Sequence, residues 1–257
     1  MLPTEIRPLK LSVIVPVLNE AMMIEPQLRA LQWVRTTGVA ELILVDGGST
    51  DATAVRALPW VDRLVTSVPG RGLQMNAGAR QARGEVLLFL HLDTDLPVTA
   101  PLLMDGLDAS GWGRFDVRIR GRHSMLPVVA AMMNLRSRLT GIATGDQAVF
   151  VHRALFERVG GFPEQPLMED IELSKRLKRI SRPRCLRAKV MTSGRRWDQH
   201  GLWRTIRLMW SLRFDYWRGV SPAVLAQRYG YTEASQAQAV KPVQSATGRP
   251  PTIGSGH

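Results

Sequence analysis

Three apolar runs in the first hundred residues all end the same way, in turn residues and carboxylates. Leu11-Ser-Val-Ile-Val15 passes into Pro16-Val-Leu-Asn-Glu20, and Leu44-Val45 passes into Asp46-Gly-Gly-Ser-Thr-Asp51. Leu88-Phe-Leu90 passes into His91-Leu-Asp-Thr-Asp95. Short apolar runs closed by turn signals are buried strands. Carboxylates set repeatedly at strand ends are how an open α/β sheet builds a ligand crevice. Later in the chain Glu169-Asp170 opens an amphipathic helix and adds a fourth acidic feature to this ordered series.

Between these runs the pattern switches to helical spacing. Ile24, Leu28 and Leu31 predict a helix over Glu20–Val34 with Asn19 as its cap. Strands are expected at Leu11–Val15 (broken by Pro16), Glu41–Val45, Arg63–Thr66 and Val86–Leu92. A helix capped by Ser49 or Thr50 is expected to about Leu58, and another over Leu73–Arg83, stopped by Gly84. Val86–Leu92 is the most apolar strand and belongs at the sheet centre, where both faces are covered. Such alternation predicts a mostly parallel sheet with helices on both faces. After Leu107 the order changes. Gly113–Arg120 alternates apolar and charged residues like a half-exposed strand, and is followed by a helix over Ser124–Leu139. A strand at Ala148–His152 and a helix at Ile171–Ile180 complete a half with mixed strand directions.

With 257 residues, 45% hydrophobic and 22% charged, the chain can bury a sizeable globular core. Its net charge of +12 calls for an anionic partner, and the excess is uneven. Ser181–Tyr231 holds 11 Lys and Arg against only Asp198 and Asp215, a local excess of nine. One cysteine, Cys185, makes no internal disulfide, which suits a reducing, cytoplasmic setting. The opening residues lack an apolar core like that of a signal peptide, and no run approaches the ~20 apolar residues of a spanning helix.

Several segments carry candidate chemistry. Pro16, Leu18 and Glu20 form a loop that can lie over a base or ribose, though Pro and Asn are also ordinary turn residues. In Asp46-Gly-Gly-Ser-Thr-Asp51 the glycines permit close backbone approach while Asp46 and Asp51 can accept from a base or ribose, or simply cap a helix. Gly70-Arg71-Gly-Leu-Gln-Met-Asn76 places an arginine before a helix, a setting for a diphosphate. It is neither a Walker loop nor a dinucleotide fingerprint, because the required Gly-Lys-Ser/Thr and glycine spacing are missing. Alternate residues on an extended segment share a side, so His91, Asp93 and Asp95 are expected to converge on Mg²⁺ or Mn²⁺. Glu169-Asp170 is either an acidic helix start favoured by the dipole or a catalytic carboxylate.

Taken in order, Val-Pro-x-x-Asn-Glu, Asp-Gly-Gly-Ser-Thr-Asp, Gly-Arg-x-x-Gln-Met-Asn, the acidic strand end, Gly160-Gly-Phe-Pro163 and Glu169-Asp170 resemble family 2 glycosyltransferases of the GT-A fold. The resemblance covers about Lys10 to Trp197. Thr140-Gly-Ile-Ala-Thr-Gly-Asp-Gln147 and Thr192-Ser-Gly-Arg-Arg-Trp197 look like the bacterial subgroup named for radical-SAM and selenium-related genes. The resemblance implies inverting transfer from a nucleoside-diphosphate donor, UDP-sugar, to a hydroxyl acceptor that the sequence does not name. It implies Asp46 at the base, Asp93 on the metal side, and Asp170 as general base with Glu169 beside it. Arg71 or Arg196 then meets the diphosphate, and Asn76 and Trp197 belong to the same donor-binding set. Two departures stand out: His91 occupies the place of the family's first strand-end Asp, and Ser193 replaces a Gln of polymer-forming relatives. The second argues against a processive polysaccharide synthase.

The rival readings are a nucleotidyltransferase, which wants a Lys-containing glycine loop after the first strand, and an inactive nucleotide-sugar-binding relative at a membrane surface. Nucleic acid is not expected as a partner, since no recognition motif accompanies the basic segment. Residues 1–199 are expected to form the GT-A domain, 200–231 an amphipathic helical extension, and 232–257 a disordered tail. In His200–Arg218, Leu202, Trp203, Ile206, Met209, Trp210, Phe214 and Trp217 form one stripe flanked by Arg204, Arg207 and Arg218. That stripe predicts either packing on the domain or peripheral contact with an anionic membrane at its inner face.

Overall fold

The computed structural model describes residues 10–36 and 38–231. Four strands, β1 (Leu11–Val17), β2 (Ala40–Asp46), β3 (Arg63–Thr66) and β4 (Val86–Phe89), pair in parallel through β1–β2, β1–β4 and β2–β3. The short β5 (Thr94–Asp95), β6 (Trp112–Arg120), β7 (Val149–His152) and β8 (Arg184–Ser193) extend the same sheet. Its order is β3-β2-β1-β4-β7-β6-β8-β5, so β4 stands in the middle, as its apolar run predicts. Beyond β4 the directions mix: β7 is antiparallel to β4 and β6, while β8 is parallel to β6 and antiparallel to β5.

Alternation along β1 and β2 sorts the core into two layers. Val13, Val15 and Leu44 face α1 (Ile24–Ala30), α2 (Gln32–Thr36) and the first half of α6 (Leu126–Thr140), with α3 (Thr53–Ala57) and α5 (Ala100–Met104) contributing Ala57 and Ala100. Ile14, Ile43 and Val45 face α4 (Arg71–Gln81), α7 (Arg153–Arg158) and α8 (Glu169–Lys178). A third cluster joins Leu167, Met168 and Ile171 to α10 (Leu202–Trp217) and α11 (Pro222–Tyr229), which follow α9 (Arg195–His200). Gly78 fixes how close α4 lies to the sheet: a Cβ there would fall 2.5 Å from Ile14 and 2.8 Å from Val45. This is the GT-A fold, a mostly parallel sheet flanked by helices.

The structure corrects several expectations. Pro16 does not end the first strand, which pairs through to Val17. The β4 ladder has stopped at Phe89, and Leu90 N donates to Ile14 O, so the N–H that Pro16 lacks has no strand to meet. The helix expected over Glu20–Val34 starts late, at Ile24, which puts Pro26 in the first turn where it is tolerated, and it is divided at Leu31 into α1 and α2. Asn19 is no cap: it adopts φ 53° and its side chain accepts from Thr50 N at 2.8 Å. β6 is half-exposed only at its end, since Arg114 and Asp116 are buried. Arg114 is paired with Asp116 and donates to Ser137 Oγ, and Arg138 reaches the same Asp116 at 2.5 Å. The expected tail, residues 232–257, lies outside the described residues.

The expected single stripe on α10 is split. Leu202, Thr205 and Leu212 are buried, whereas Trp203, Trp210, Phe214 and Trp217 point outward. No helix among the described residues is long and apolar enough to cross a membrane.

Candidate active site

A cavity of about 790 Å³ opens at the C-terminal ends of β1 and β4, within the usual size for a small-ligand site. One wall is the end of β1 and its loop, Pro16, Val17, Leu18 and Glu20. Arg71 and Gln74 come from the first turns of α4, and His91 and Asp93 from the turn after β4. The far wall brings Glu164–Pro166, Ser193, Arg195 and Tyr231 from distant parts of the chain. Gln74 holds two strand ends together, its amide donating to Val17 O at 2.8 Å and Val45 O at 2.9 Å. That bond needs a long amide at a buried point facing two strand-end carbonyls, and the sequence shows only its place in a motif.

The loop after β2 is shaped by its own carboxylates. Asp46 is buried and accepts from Ser49 N at 3.1 Å, as an Asx turn does, and also from the Ser49 hydroxyl. Asp51 accepts from Thr53 N at 2.9 Å and Ala21 N at 3.1 Å, tying this loop to the one after β1. The Thr53 hydroxyl holds the Asp51 carboxyl below its usual range. Neither carboxylate is among the residues lining the cavity.

At the centre lie the groups after β4. Burial raises the Asp93 carboxyl above its ordinary pKa, partly countered by His91. His91 Nδ1 sits 3.4 Å from Asp146, a carboxylate that follows Gly145 in the loop after α6. Burial works against the Asp146 charge, yet its hydrogen bond to His91 together with the charges of His91, Arg71 and Arg196 outweighs this and lowers its pKa. A Cβ on Gly145 would strike the His91 ring at 2.4 Å, so this approach requires glycine. Burial likewise raises Glu20, against the pull of Arg195.

The expected convergence of His91, Asp93 and Asp95 is only two-thirds realised. Asp95 is drawn into β5, where Arg120 takes its carboxylate at 2.5 Å, and it does not line the cavity. Among the described residues no three His, Cys, Asp or Glu side chains converge as a closed metal site. Asp93 with His91 is instead an open donor set. It fits Mg²⁺ or Mn²⁺ shared with phosphate oxygens, because Mg²⁺ commonly takes only one or two carboxylates from the protein.

Behind Arg71 stands the acidic pair that opens α8. Arg71 Nε lies 2.9 Å from Glu169 Oε1. Burial opposes the Arg71 charge, but Glu169, with Tyr231, Tyr229 and Asp170 adding to it, pushes its pKa above the ordinary value. Burial also raises Glu169 against the pull of Arg71, and its Oε2 is buried without a hydrogen-bond partner among the described residues. Asp170 Oδ2 accepts from Gly145 N at 3.0 Å, which links it through one residue to the His91–Asp146 contact. Met168, just before the pair, is held at φ 67°, a left-handed conformation that costs a non-glycine residue about 1–3 kcal/mol. Its packing with Ile171 and Leu225 pins it there.

Three residues expected at the donor are occupied elsewhere. Asn76 exchanges two 2.9 Å bonds with the backbone of Phe162, fastening the Gly160-Gly-Phe-Pro turn to α4. Arg196 stacks 3.8 Å over the Tyr229 ring and donates to Tyr229 O at 3.1 Å. Trp197 packs against the core cluster under α6. Arg195, one position earlier, is the arginine that reaches the cavity. Residue type alone cannot separate neighbours whose side chains leave a helix 100° apart.

The strand-end placement agrees with known proteins. Residues 12–100 match the model of Glycosyl transferase family 2. The matched segment runs from β1 through the turn carrying Asp93, so it contains the cavity wall built by β1, α4 and the turn after β4. Glucosyl-3-phosphoglycerate synthase of Mycobacterium tuberculosis is 31% identical over 106 residues, 38% of this chain and 32% of that protein. Dodecaprenyl-phosphate galacturonate synthase of Rhizobium johnstonii is 34% identical over 116 residues, 40% of this chain and 34% of that protein. Those alignments thus span about a third of the curated relatives' length. The mannosyltransferase PcManGT of Pyrobaculum calidifontis, solved with GDP-Man and Mn²⁺, superposes with a TM-score of 0.58 at 22% identity. That likeness covers 92% of this chain and 76% of the other, and it is one of fold.

Proposed function

We propose that the protein is an inverting, metal-assisted glycosyltransferase acting on a nucleoside-diphosphate sugar, with UDP as the expected nucleotide, within the radical-SAM and selenium-associated bacterial subgroup. The observation that carries this reading is the meeting, at one cavity, of the β1 loop, Arg71, His91 and Asp93, with Glu169 and Asp170 adjoining. The relatives' names support it, since both curated ones attach a sugar to a phosphorylated molecule. In this reading residues 1–199 form the transferase domain, and residues 200–231 are its helical extension.

Pro16, Leu18 and Glu20 bind the nucleoside, with Asp46 and Asp51 shaping the loop beside it. Arg71 and Arg195 face the diphosphate, where negative charge grows as the sugar leaves. Asp93, with His91, would hold the divalent ion, which would neutralise part of that charge. The acceptor hydroxyl oxygen attacks the anomeric carbon, forming the new C–O bond as the bond to the diphosphate oxygen breaks. The diphosphate takes the electron pair, and Asp170 takes the hydroxyl proton. Gly145 N steadies Asp170, while Glu169 anchors Arg71.

Incubation with a panel of nucleotide sugars and Mn²⁺ tests this. Release of nucleoside diphosphate is the expected result. Release of nucleoside monophosphate or pyrophosphate would favour nucleotidyl chemistry, and binding without turnover would favour an inactive relative. As a further partner we propose an anionic membrane surface at the cytoplasmic face. Trp203, Trp210 and Trp217 support it, being 67%, 66% and 79% exposed on one face of α10.

A further inference from the structure

α10 is not alone in leaving an apolar face open. On α6, Val128, Met132, Leu135 and Leu139 recur at four-, three- and four-residue steps, so they lie on one side of the helix. Leu135 is 58% and Leu139 78% exposed. The opposite side, with Leu126, Ala130 and Ser137, is buried. Isolated exposed leucines need no explanation, but a sustained stripe marks an interaction surface.

The two helices are neighbours. A Cβ on Gly121 would fall 2.5 Å from Leu126 at the start of α6 and 3.2 Å from Asp198 in α9, the turn that leads into α10. Leu126 and Ala130 share a core cluster with Leu202 and Ile206 of α10. Past the end of α6, Ile142 packs in one cluster with Leu208 and Leu212. Both helices therefore turn their buried sides onto the same core, α6 through Leu126 and Ala130 and α10 through Leu202 and Ile206.

The charge around them has one sign. No Asp or Glu occurs between Asp116 and Asp146, a stretch containing Arg122 and Arg136. Along α10 the one acid, Asp215, is taken by Arg228 at 2.5 Å. Arg204, Arg207 and Arg218 are exposed and make no ion pair among the described residues. Arg218 instead lies 5.8 Å from the Phe214 ring centroid. Tryptophans between unpaired arginines suit the headgroup layer of an anionic bilayer, and an uncharged aliphatic stripe suits the acyl boundary beneath it.

We propose that α6 and α10 form one bilayer-docking surface whose partner is an anionic lipid membrane. This rests on the membrane reading of α10 and adds α6 as its aliphatic half. Because α6 runs directly into the loop of Gly145 and Asp146, docking sets the orientation of the catalytic pocket relative to the lipid.

Co-sedimentation of the full chain with vesicles of phosphatidylcholine, alone or mixed with phosphatidylglycerol, tests it. Wild type should prefer the mixed vesicles by roughly a hundredfold at low salt, about fivefold for each of the three arginines engaged, and lose the preference at high salt. Met132→Ser/Leu135→Ser should weaken binding to mixed vesicles about tenfold or more, as should Trp210→Ser/Trp217→Ser. Leu139→Ser, at a still more exposed position, replaces the α6 pair if that variant melts early. Loss only in the α10 variant would overturn the two-helix surface while leaving the membrane reading standing. Wild-type protein that binds neither vesicle would overturn both. Salt-insensitive binding to neutral vesicles would reject an anionic partner. A dimer seen by light scattering without vesicles, and broken by the α6 variant, would assign the surface to a second copy instead.

Discussion

The two walls of the cavity are built by different means. The wall of β1, β4 and α4 is local: each strand hands its chain straight into a loop that lines the cavity. The opposite wall is assembled from a distance. Glu164–Pro166, Arg195 and Tyr231 arrive on separate segments, held by contacts such as Arg196 on Tyr229. The first wall lies within the segment that matches a family model, while the second lies outside it. In the proposed reading the local wall takes the donor and the assembled wall faces the acceptor.

That contrast is tested first at Asp170, which stands behind the cavity and accepts from Gly145 N. Asp170→Asn should lower turnover by about 10²–10⁴, the usual share of general-base catalysis. Calorimetry with the nucleoside diphosphate should find its affinity unchanged. Unimpaired transfer would move the base to Glu169, and equal loss of binding would make Asp170 a structural carboxylate.

Next comes the local wall's support. Asn76→Ala removes both partners of the Phe162 backbone, and unmade buried hydrogen bonds cost about 1–3 kcal/mol each. Urea unfolding should show the loss, with the midpoint falling at an unchanged slope. An effect on nucleotide affinity without loss of stability would restore Asn76 to the donor site.

A smaller effect is expected on the assembled wall. Arg196→Met keeps the length of the side chain but removes its cation–π contact, worth about 0.5–2 kcal/mol, and its bond to Tyr229 O. The expected sign is faster proteolysis at Tyr229–Tyr231 with nucleotide affinity retained. A large fall in affinity instead would place Arg196 at the diphosphate.

The smallest effect is one of pH. Burial raises Glu20 in the folded protein, so between its unfolded pKa of about 4.3 and the folded value the native state binds more protons. Stability contributed by this group is therefore present at low pH and falls as pH rises through that window. Glu20→Gln should flatten the dependence of Tm on pH there. An identical profile in the variant would show that Arg195 fully offsets the burial.

Much of the fold was legible, and the reason is periodicity. β-branched runs and their closing turns placed β1 to β4 to within about three residues at each end, and the apolar run of β4 placed it centrally. Misreadings came where a residue acts at long range. Pro16 is harmless because β4 has already ended, and Asn19 serves a neighbouring loop instead of a helix. In the site, sequence identified His91, Asp93 and Arg71 as cavity residues. It could not show that Arg120 claims Asp95, that Phe162 claims Asn76, or that Asp146 reaches His91. Such partners are separated by 25 residues or more, and no local pattern records them.

The central claim is that this cavity holds a nucleoside diphosphate together with a divalent ion on Asp93. Titration calorimetry of UDP into wild type and Asp93→Ala, each with and without Mn²⁺, tests it most directly. The account predicts Mn²⁺-dependent binding in wild type and loss of that dependence in the variant. Equal affinity in both proteins, with Mn²⁺ still strengthening binding, would contradict it.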